Sequence, residues 1–238
     1  MKKLDTNIWV YETAFTLFGA EFGNRMTIVR LSGGRLLLHS PIKLDSEVVD
    51  GVRALGVVSY IVTPNNFHGL FVDEWLSEFP EAEYYTAMNS GSGNDVGLPM
   101  SILIEKTTNE KIEIVKVEGV PKVNEYAFIH TESNTLILTD MAFNIGNDIS
   151  LWSKIFFKLN GALNSFGPTR LMKSMITDPD ALKHSISIIL EFDIDRVIVS
   201  HGSILETKAK ETLRHVFDEC CLSRPSRKVS RLSLSRCG

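Results

Sequence analysis

The sequence predicts one α/β domain in which helices pack outside mixed β-sheets. Short apolar runs typical of buried strands alternate with helical patterns in both halves of the chain. Their order is a hairpin, a strand–helix–strand unit, a meander, several helices and a final strand–helix pair, which requires both parallel and antiparallel neighbours. With 238 residues, 44% of them hydrophobic and 23% charged, the chain can bury a large core without disulfides or metals.

The first half is predicted to open with a β-hairpin and a helix. Two apolar runs flank Gly33-Gly34, and both glycines accept the positive φ that a tight turn requires. Asp45 can cap the next helix, which Gly56 ends. Pro64 must end the following strand, because proline has no N–H for a β-ladder. In chain order, we expect strands at 26–31 and 35–39, a helix at 45–56, a strand at 57–62, a helix at 70–79, a strand at 83–86 and a glycine-rich loop at 88–97.

The second half is predicted to be a meander followed by helices. Asp178-Pro179 favours a helix start, because proline is tolerated in a first turn. The expected elements are strands at 112–117, 125–131 and 135–139, helices at 152–159, 171–175 and 180–192, a strand at 196–200 and a helix at 207–220.

The charge distribution distinguishes the main part of the chain from a basic C-terminal segment. The net charge of −4 argues against binding to nucleic acid or to an anionic membrane. Residues 222–238, by contrast, contain five basic and no acidic side chains among several serines. We therefore predict a domain over 1–221 and a disordered tail over 222–238. The alternative for the tail is an arm that binds phosphate or an acidic surface.

Cysteine usage and hydropathy predict a cytoplasmic location. The three cysteines lie near the C-terminus, at 220, 221 and 237, with no CxxC pair. This predicts a reduced chain without a thiolate metal site. No secretory signal is visible, and no apolar stretch approaches the roughly 18 residues of a membrane span.

Polar residues follow four of the predicted strands, which is where α/β folds place functional groups. These strand ends carry His39-Ser40, the segment from Thr63 to His68, Thr139-Asp140 and Ser200-His201. Three histidines and one carboxylate suit zinc or iron. A structural alternative is a closed hydrogen-bonded network with buried, neutral histidines. His130 is expected to be structural, and His184 and His215 are expected at the surface.

Together these residues resemble the metallo-β-lactamase superfamily, and more narrowly its DUF4336 family. The resemblance covers roughly residues 7–220 and implies an αββα sandwich with mixed sheets. The motifs that carry it are Met26–Leu31, Leu38-His39-Ser40-Pro41, Pro64-Asn65-Asn66-Phe67-His68, Phe79-Pro80-Glu81-Ala82, Asn134–Asp140 with Phe143-Asn144, and Ser200-His201-Gly202.

The resemblance also implies where metal ligands would lie. Active members of the superfamily carry an HxHxDH motif, a third-ligand histidine, a bridging aspartate and a final histidine. Asp140 matches the bridging aspartate, His201 matches the final histidine, and His68 falls within the first motif. Pro64 and Asn66 stand where that motif has its first two histidines, so the metal motif is degenerate.

The third-ligand histidine of the superfamily also has no counterpart in this sequence. The segment Lys122–Glu125, which contains no histidine, lies where the resemblance would place it. A dinuclear hydrolase needs two metals about 3.5–4 Å apart. The missing ligands therefore predict at most one metal.

Two functional hypotheses follow. The first is a metal-dependent hydrolase of a small-molecule substrate, with one zinc or iron on His68, Asp140 and His201. In it Asp140 and His39 are catalytic, and His39 or Glu125 serves as a proton carrier or outer partner. The second is a metal-free, non-catalytic descendant whose former active site is a polar pocket for a small molecule or a partner. That pocket would be lined by Ser40, Asn65, Asn66 and Glu125. Nucleophilic chemistry at Ser40 or Ser200 is a minor alternative, because no GxSxG elbow is present.

Overall fold

Two mixed β-sheets face each other in the computed structural model, which describes residues 1–87 and 97–222. The buried side chains between the sheets come from both of them, for example Leu37 and Val62 from one and Phe128 and Ile198 from the other. Helices cover the outer face of each sheet. This confirms the mixed sheets with outer helices that the sequence patterns predict and the αββα layering that the family resemblance implies.

The first sheet has seven strands in the order β1-β2-β5-β6-β7-β8-β9. Its first four strands pair antiparallel, and β6 to β9 pair parallel. The strands are β1 Lys2–Asp5, β2 Ile8–Thr13, β5 Asn24–Arg30, β6 Arg35–His39, β7 Val57–Thr63, β8 Glu83–Thr86 and β9 Leu98–Pro99. A small hairpin, β3 Thr16–Leu17 and β4 Ala20–Glu21, lies between β2 and β5 in the chain.

The second sheet has four strands in the order β10-β11-β12-β15, of which the last pair is parallel. The strands are β10 Ile112–Lys116, β11 Tyr126–His130, β12 Thr135–Ile137 and β15 Arg196–Ile198. A further two-stranded sheet joins β13 Phe143–Asn144 to β14 Phe166–Gly167. The helices are α1 Ser46–Leu55, α2 Val72–Glu78, α3 Met100–Thr107, α4 Leu151–Leu159, α5 Arg170–Ser174, α6 Pro179–Ile189 and α7 Ala209–Leu222.

Most predicted elements are present with ends shifted by one to three residues. The Asp45 side chain caps α1 by accepting a hydrogen bond from the N–H of Glu47 at 2.9 Å. The sequence analysis missed β1, β2 and α3. Pro99 precedes α3, and the helix has no polar side chain capping its start. Residues 88–96, within the predicted loop, and residues 223–238 of the predicted tail lie outside the described residues.

The parallel pairs bring the predicted site residues to one edge. Strands β6 and β7 run parallel, as do β12 and β15, so the carboxyl ends of each pair lie side by side. The loops that carry His68, Asp140 and His201 leave from these ends. Within the described residues, no helix is both long enough and apolar enough to cross a bilayer.

Phe128 tests the packing between the sheets. Its side chain is fully buried against residues of both sheets. We expect Phe128→Ala to lower the free energy of unfolding by about 3–5 kcal/mol, because the cavity cannot collapse between two rigid sheets. The control Phe67→Ala, at a side chain that is 54% exposed, should change it by less than about 0.5 kcal/mol. Urea denaturation measures both, and equal losses would contradict this description of the core.

His39 gives the fold a pH dependence. Burial and the nearby His68 lower the pKa of His39 from 6.5 to about 3. Since the unfolded chain takes up this proton near pH 6.5, His39 stabilises the fold above that pH and loses the contribution as pH falls toward 3. Between pH 7.5 and 5, wild-type protein should therefore lose about 2 kcal/mol more of its unfolding free energy than His39→Leu.

Urea denaturation at the two pH values measures this difference. His184→Leu, at an exposed histidine of α6, is the matched control and should behave like wild type. A His39→Leu variant with the full wild-type pH dependence would show that this imidazole is protonated in the folded protein.

Candidate functional site

Three side chains from different loops converge at the shared sheet edge. One nitrogen each of His68 and His201 and one carboxylate oxygen of Asp140 all lie within 4.8 Å of one another. His68 Nε2 is 3.3 Å from Asp140 Oδ2, and His201 Nε2 is 3.5 Å from Asp140 Oδ1. In the part of the chain that the structure describes, this is the one group of three or more such residues.

The loop of Asp140 is shaped by a second, deeper carboxylate. Glu125 is buried, and its oxygens accept hydrogen bonds from the backbone N–H groups of Thr139, Asp140 and Met141 at 2.7–3.1 Å. Asn65 Nδ2 donates to Glu125 Oε2, to Thr139 Oγ1 and, at 2.7 Å, to Asp140 Oδ2. These bonds fix both the backbone and the carboxylate of Asp140. A hydrogen-bonded network of Glu125, Asn65 and Thr139 therefore lies beside Asp140.

His201 is held in one orientation from both sides. Its Nδ1 lies 2.8 Å from the carbonyl oxygen of Gly23. A carbonyl can only accept, so Nδ1 carries the proton and Nε2 faces Asp140. Phe143 stacks on the imidazole at 5.0 Å between ring centroids, and Phe22 meets it edge-on.

Arg25 holds the backbone on either side of His201. Its buried guanidinium donates to the carbonyls of Val199 and Gly202 and pairs with Glu12 at 2.9 Å. Arg25 lies in β5, so its hydrogen bonds to Val199 and Gly202 connect the first sheet to the loop after β15, while its ion pair with Glu12 of β2 stays within the first sheet. The sequence analysis missed Arg25, and the only local signal was a charged residue near the start of a strand whose central residues are mostly apolar.

His68 is held by a partner that can either donate or accept. Ser40 Oγ lies 2.6 Å from His68 Nδ1, and a hydroxyl fills both roles. Ser40 has a φ of 59°, an unusual value for a residue other than glycine, and this conformation follows the end of β6. His68 can therefore present either a proton or a lone pair at Nε2, whereas neutral His201 presents only a lone pair.

The charges of the site depend on one another. Burial alone would raise the pKa of Asp140, but His68 and His201 outweigh it and hold that pKa well below its usual range. Burial would lower the pKa of His68, but the Asp140 carboxylate, its hydrogen bond and Glu125 raise it above the usual value. Burial and the neighbouring Asp140 raise the pKa of Glu125, and hydrogen bonds from Thr139 and Asp140 only partly oppose this.

A cavity of about 450 Å³ opens above the triad, and all three of its residues line it. Most of the other lining is apolar and includes eight phenylalanines at positions 15, 18, 22, 67, 71, 143, 156 and 157. The sequence analysis did not anticipate this cavity, because its aromatic residues come from four separate segments of the chain.

The structure separates the predicted site residues into two groups. His68, Asp140 and His201 meet at the cavity. Ser40, Asn65, Asn66 and Glu125, the predicted pocket residues, do not line this cavity. Asn65 and Glu125 instead support Asp140 from below, while Asn66 donates to the carbonyl of Lys122.

His39 also lies away from the cavity. Its imidazole packs edge-on against Phe128 at 4.7 Å, and its Nε2 has no hydrogen-bond partner. Its Nε2 therefore has no hydrogen bond through which to pass a proton to a ligand. Its position at the end of β6 suggested a catalytic role, but the alternation of side chains along β6 turns it into the core between the sheets.

Comparison with known proteins agrees with this architecture. Residues 5–118 match the family model described as "Domain of unknown function (DUF4336)". No curated protein sequence matches the chain significantly. Among solved structures, the metallo-β-lactamase FIM-1 from Pseudomonas aeruginosa, in its mono-zinc form, is similar with a TM-score of 0.62 and 11% identity, covering 93% of this chain and 95% of that one.

Two further solved structures show the same fold. A metallo-β-lactamase from Pontibacter korlensis has a TM-score of 0.57 and 11% identity, covering 91% of this chain and 97% of that one. The flavodiiron core of Flv1 from Synechocystis sp. PCC6803 has a TM-score of 0.59 and 8% identity, covering 92% of this chain and 60% of that one. The protein therefore has the metallo-β-lactamase fold, and its residues 5–118 match the DUF4336 family.

Proposed function

We propose that this protein is a metal-dependent hydrolase with one metal ion, zinc or iron, held by His68, Asp140 and His201. The observation that carries the proposal is the convergence of two imidazole nitrogens and a carboxylate at the floor of a cavity. Two histidines and one carboxylate form a known donor set for catalytic zinc and for non-haem iron. The mono-zinc form of the structural relative FIM-1 supports a single-metal site in this fold.

The orientation of His201 favours a cation at this position. Because Gly23 fixes the proton on Nδ1, neutral His201 points its Nε2 lone pair at the negatively charged Asp140 oxygen 3.5 Å away. Two electron pairs facing each other at that distance repel unless a metal ion or a proton on Nε2 lies between them. A metal ion satisfies both groups and leaves His201 in its neutral, ligating form.

The surrounding residues orient the three side chains that would bind the metal. Gly23, Ser40 and Asn65 each bind one of the three ligating side chains and so fix its direction. Arg25 and Glu125 fix the loops that carry them. A metal bound there would act as a Lewis acid that lowers the pKa of a bound water to about 7, which is the chemistry of hydrolysis at neutral pH.

The metal-free alternative is also supported by a specific observation. The raised pKa of His68 favours an imidazolium, and a protonated histidine on either side of Asp140 would satisfy the carboxylate without a metal. The protein would then be a non-catalytic binding protein that uses the same cavity. The serine alternative is weaker: Ser40 lies beside His68, but it is fully buried and does not line the cavity, so a substrate cannot reach its hydroxyl.

The metal content of the purified protein distinguishes the metal-dependent hydrolase from the metal-free binding protein. We expect near-stoichiometric zinc or iron in tag-free protein, and at least a tenfold loss of metal in His68→Ala and His201→Ala, because each removes one of three ligands. His184→Ala, at an exposed histidine, is the matched control and should retain the metal. Inductively coupled plasma mass spectrometry measures this. Folded wild-type protein that stays metal-free in zinc- and iron-supplemented growth would support the non-catalytic alternative.

Arg25 tests how the site is held. We expect Arg25→Met to weaken zinc affinity about 10- to 100-fold, because the loop that carries His201 loses its hydrogen bonds to β5. Arg30→Met is the control, since Arg30 lies on the same strand but stacks on Trp9 at 4.7 Å, away from the site. Competition with a chromophoric chelator measures the affinities. Equal affinities in the two variants would show that Arg25 does not position His201.

A further inference from the structure

We infer that the cavity binds an uncharged carbonyl compound with a long apolar chain, seated with its carbonyl at His68, Asp140 and His201. This names the substrate class of the proposed hydrolase and rests on that function for what happens after binding. The claim about binding rests on the cavity alone.

The lining of the cavity favours an apolar ligand. Eight phenylalanines, together with Leu17, Leu70, Leu171, Met172 and Met175, surround a small group of polar side chains. The volume of about 450 Å³ falls within the roughly 300–1,000 Å³ of ordinary small-molecule sites. Phe157 and Met172 are buried, whereas Leu70 and Leu171 are exposed, so the apolar lining continues from the interior to the mouth. A chain that follows this path is removed from water along its length.

The charges of the cavity argue against an anionic ligand. Among the described lining residues, none is lysine, arginine or glutamate, and the one carboxylate is Asp140. In metal-free protein, a phosphate or carboxylate ligand would find no lysine or arginine along the cavity and would meet the negative charge of Asp140. An uncharged carbonyl avoids this repulsion and can accept a hydrogen bond at the polar end.

The mouth of the cavity keeps an aromatic side chain in water. Phe18 is 77% exposed at the tip of the β3–β4 hairpin, with a φ of 54°, in the region that bulky residues rarely adopt. Trp152 of α4 holds this conformation by donating from Nε1 to the carbonyl of Phe18 at 3.2 Å. Glu21 at the base of the hairpin is tied to the same helix through Ser153 Oγ at 2.9 Å. An exposed phenylalanine fixed in a strained conformation indicates a contact surface for an apolar ligand.

Methyl ketones test this inference because they carry a carbonyl and an apolar chain but have no bond to hydrolyse. Isothermal titration of metal-free protein with the series from 2-hexanone to 2-dodecanone should show affinity rising about three- to fourfold per added CH₂, until the chain outgrows the cavity. Decanoate should bind about tenfold or more weakly than 2-decanone, because its charge meets Asp140. Affinity that is independent of chain length, or decanoate binding as tightly as the ketone, would overturn the inference.

Two leucines provide matched variants. Leu171 lines the cavity and is 59% exposed, whereas Leu159 on α4 is 66% exposed and does not line it. We expect Leu171→Asp to weaken 2-decanone binding at least tenfold and Leu159→Asp to change it less than twofold. Equal losses would show that the ketones bind the apolar surface rather than the cavity. Binding to phosphatidylcholine vesicles that Leu159→Asp abolishes and Leu171→Asp leaves intact would likewise overturn the inference, in favour of a membrane-binding surface.

The same measurements separate this inference from the proposed function. Because the ketones are titrated into metal-free protein, a chain-length dependence would stand even if the protein binds no metal in vivo. Conversely, protein that binds zinc stoichiometrically but shows no chain-length dependence would keep the metal site and contradict the substrate class.

Discussion

The organisation of the site depends on the buried carboxylate of Asp140. A charge removed from water must be paired and hydrogen-bonded, or it becomes neutral. Here two imidazoles and the Asn65 amide surround it; His68 and Asn65 lie on the loop after β7, and His201 lies on the loop after β15. Only the parallel ordering of β6 with β7 and of β12 with β15 brings these groups to one edge. The layered fold and the site are therefore consequences of the same topology.

Two groups of residues position the triad: one group fixes Asp140, and the other fixes the two histidines. Glu125 and Asn65 form a closed network beneath Asp140, in which every bond fixes backbone or carboxylate position. Arg25, Gly23 and Ser40 act instead on the histidines, and they differ in how much freedom they leave. The carbonyl of Gly23 allows one neutral form of His201, while the hydroxyl of Ser40 allows two forms of His68. The site can thus accommodate a metal ion between the histidines and Asp140, or a proton on the Nε2 that faces Asp140 in place of the metal.

Local sequence signals predicted the elements better than the site. Turn and cap residues such as Gly33-Gly34 and Asp45 determine their own neighbourhood, so the hairpin and α1 were predictable. Strand ends likewise indicated His68, Asp140 and His201, because parallel strands share an edge. His39, by contrast, packs against Phe128 in the core, because side chains alternate between the two faces along β6. Arg25 and the phenylalanine-lined cavity depend on contacts between distant segments, which no local pattern encodes.

Anomalous diffraction from crystals of protein grown with added zinc or iron tests the central claim most directly. A single ion in the cavity floor, about 2.0–2.2 Å from His68 Nε2, His201 Nε2 and an Asp140 oxygen, is the predicted result. Its absence, with both imidazoles hydrogen-bonded directly to Asp140, would contradict the metal site. The molecule would then be a protein of this fold that neutralises its buried carboxylate with protons alone.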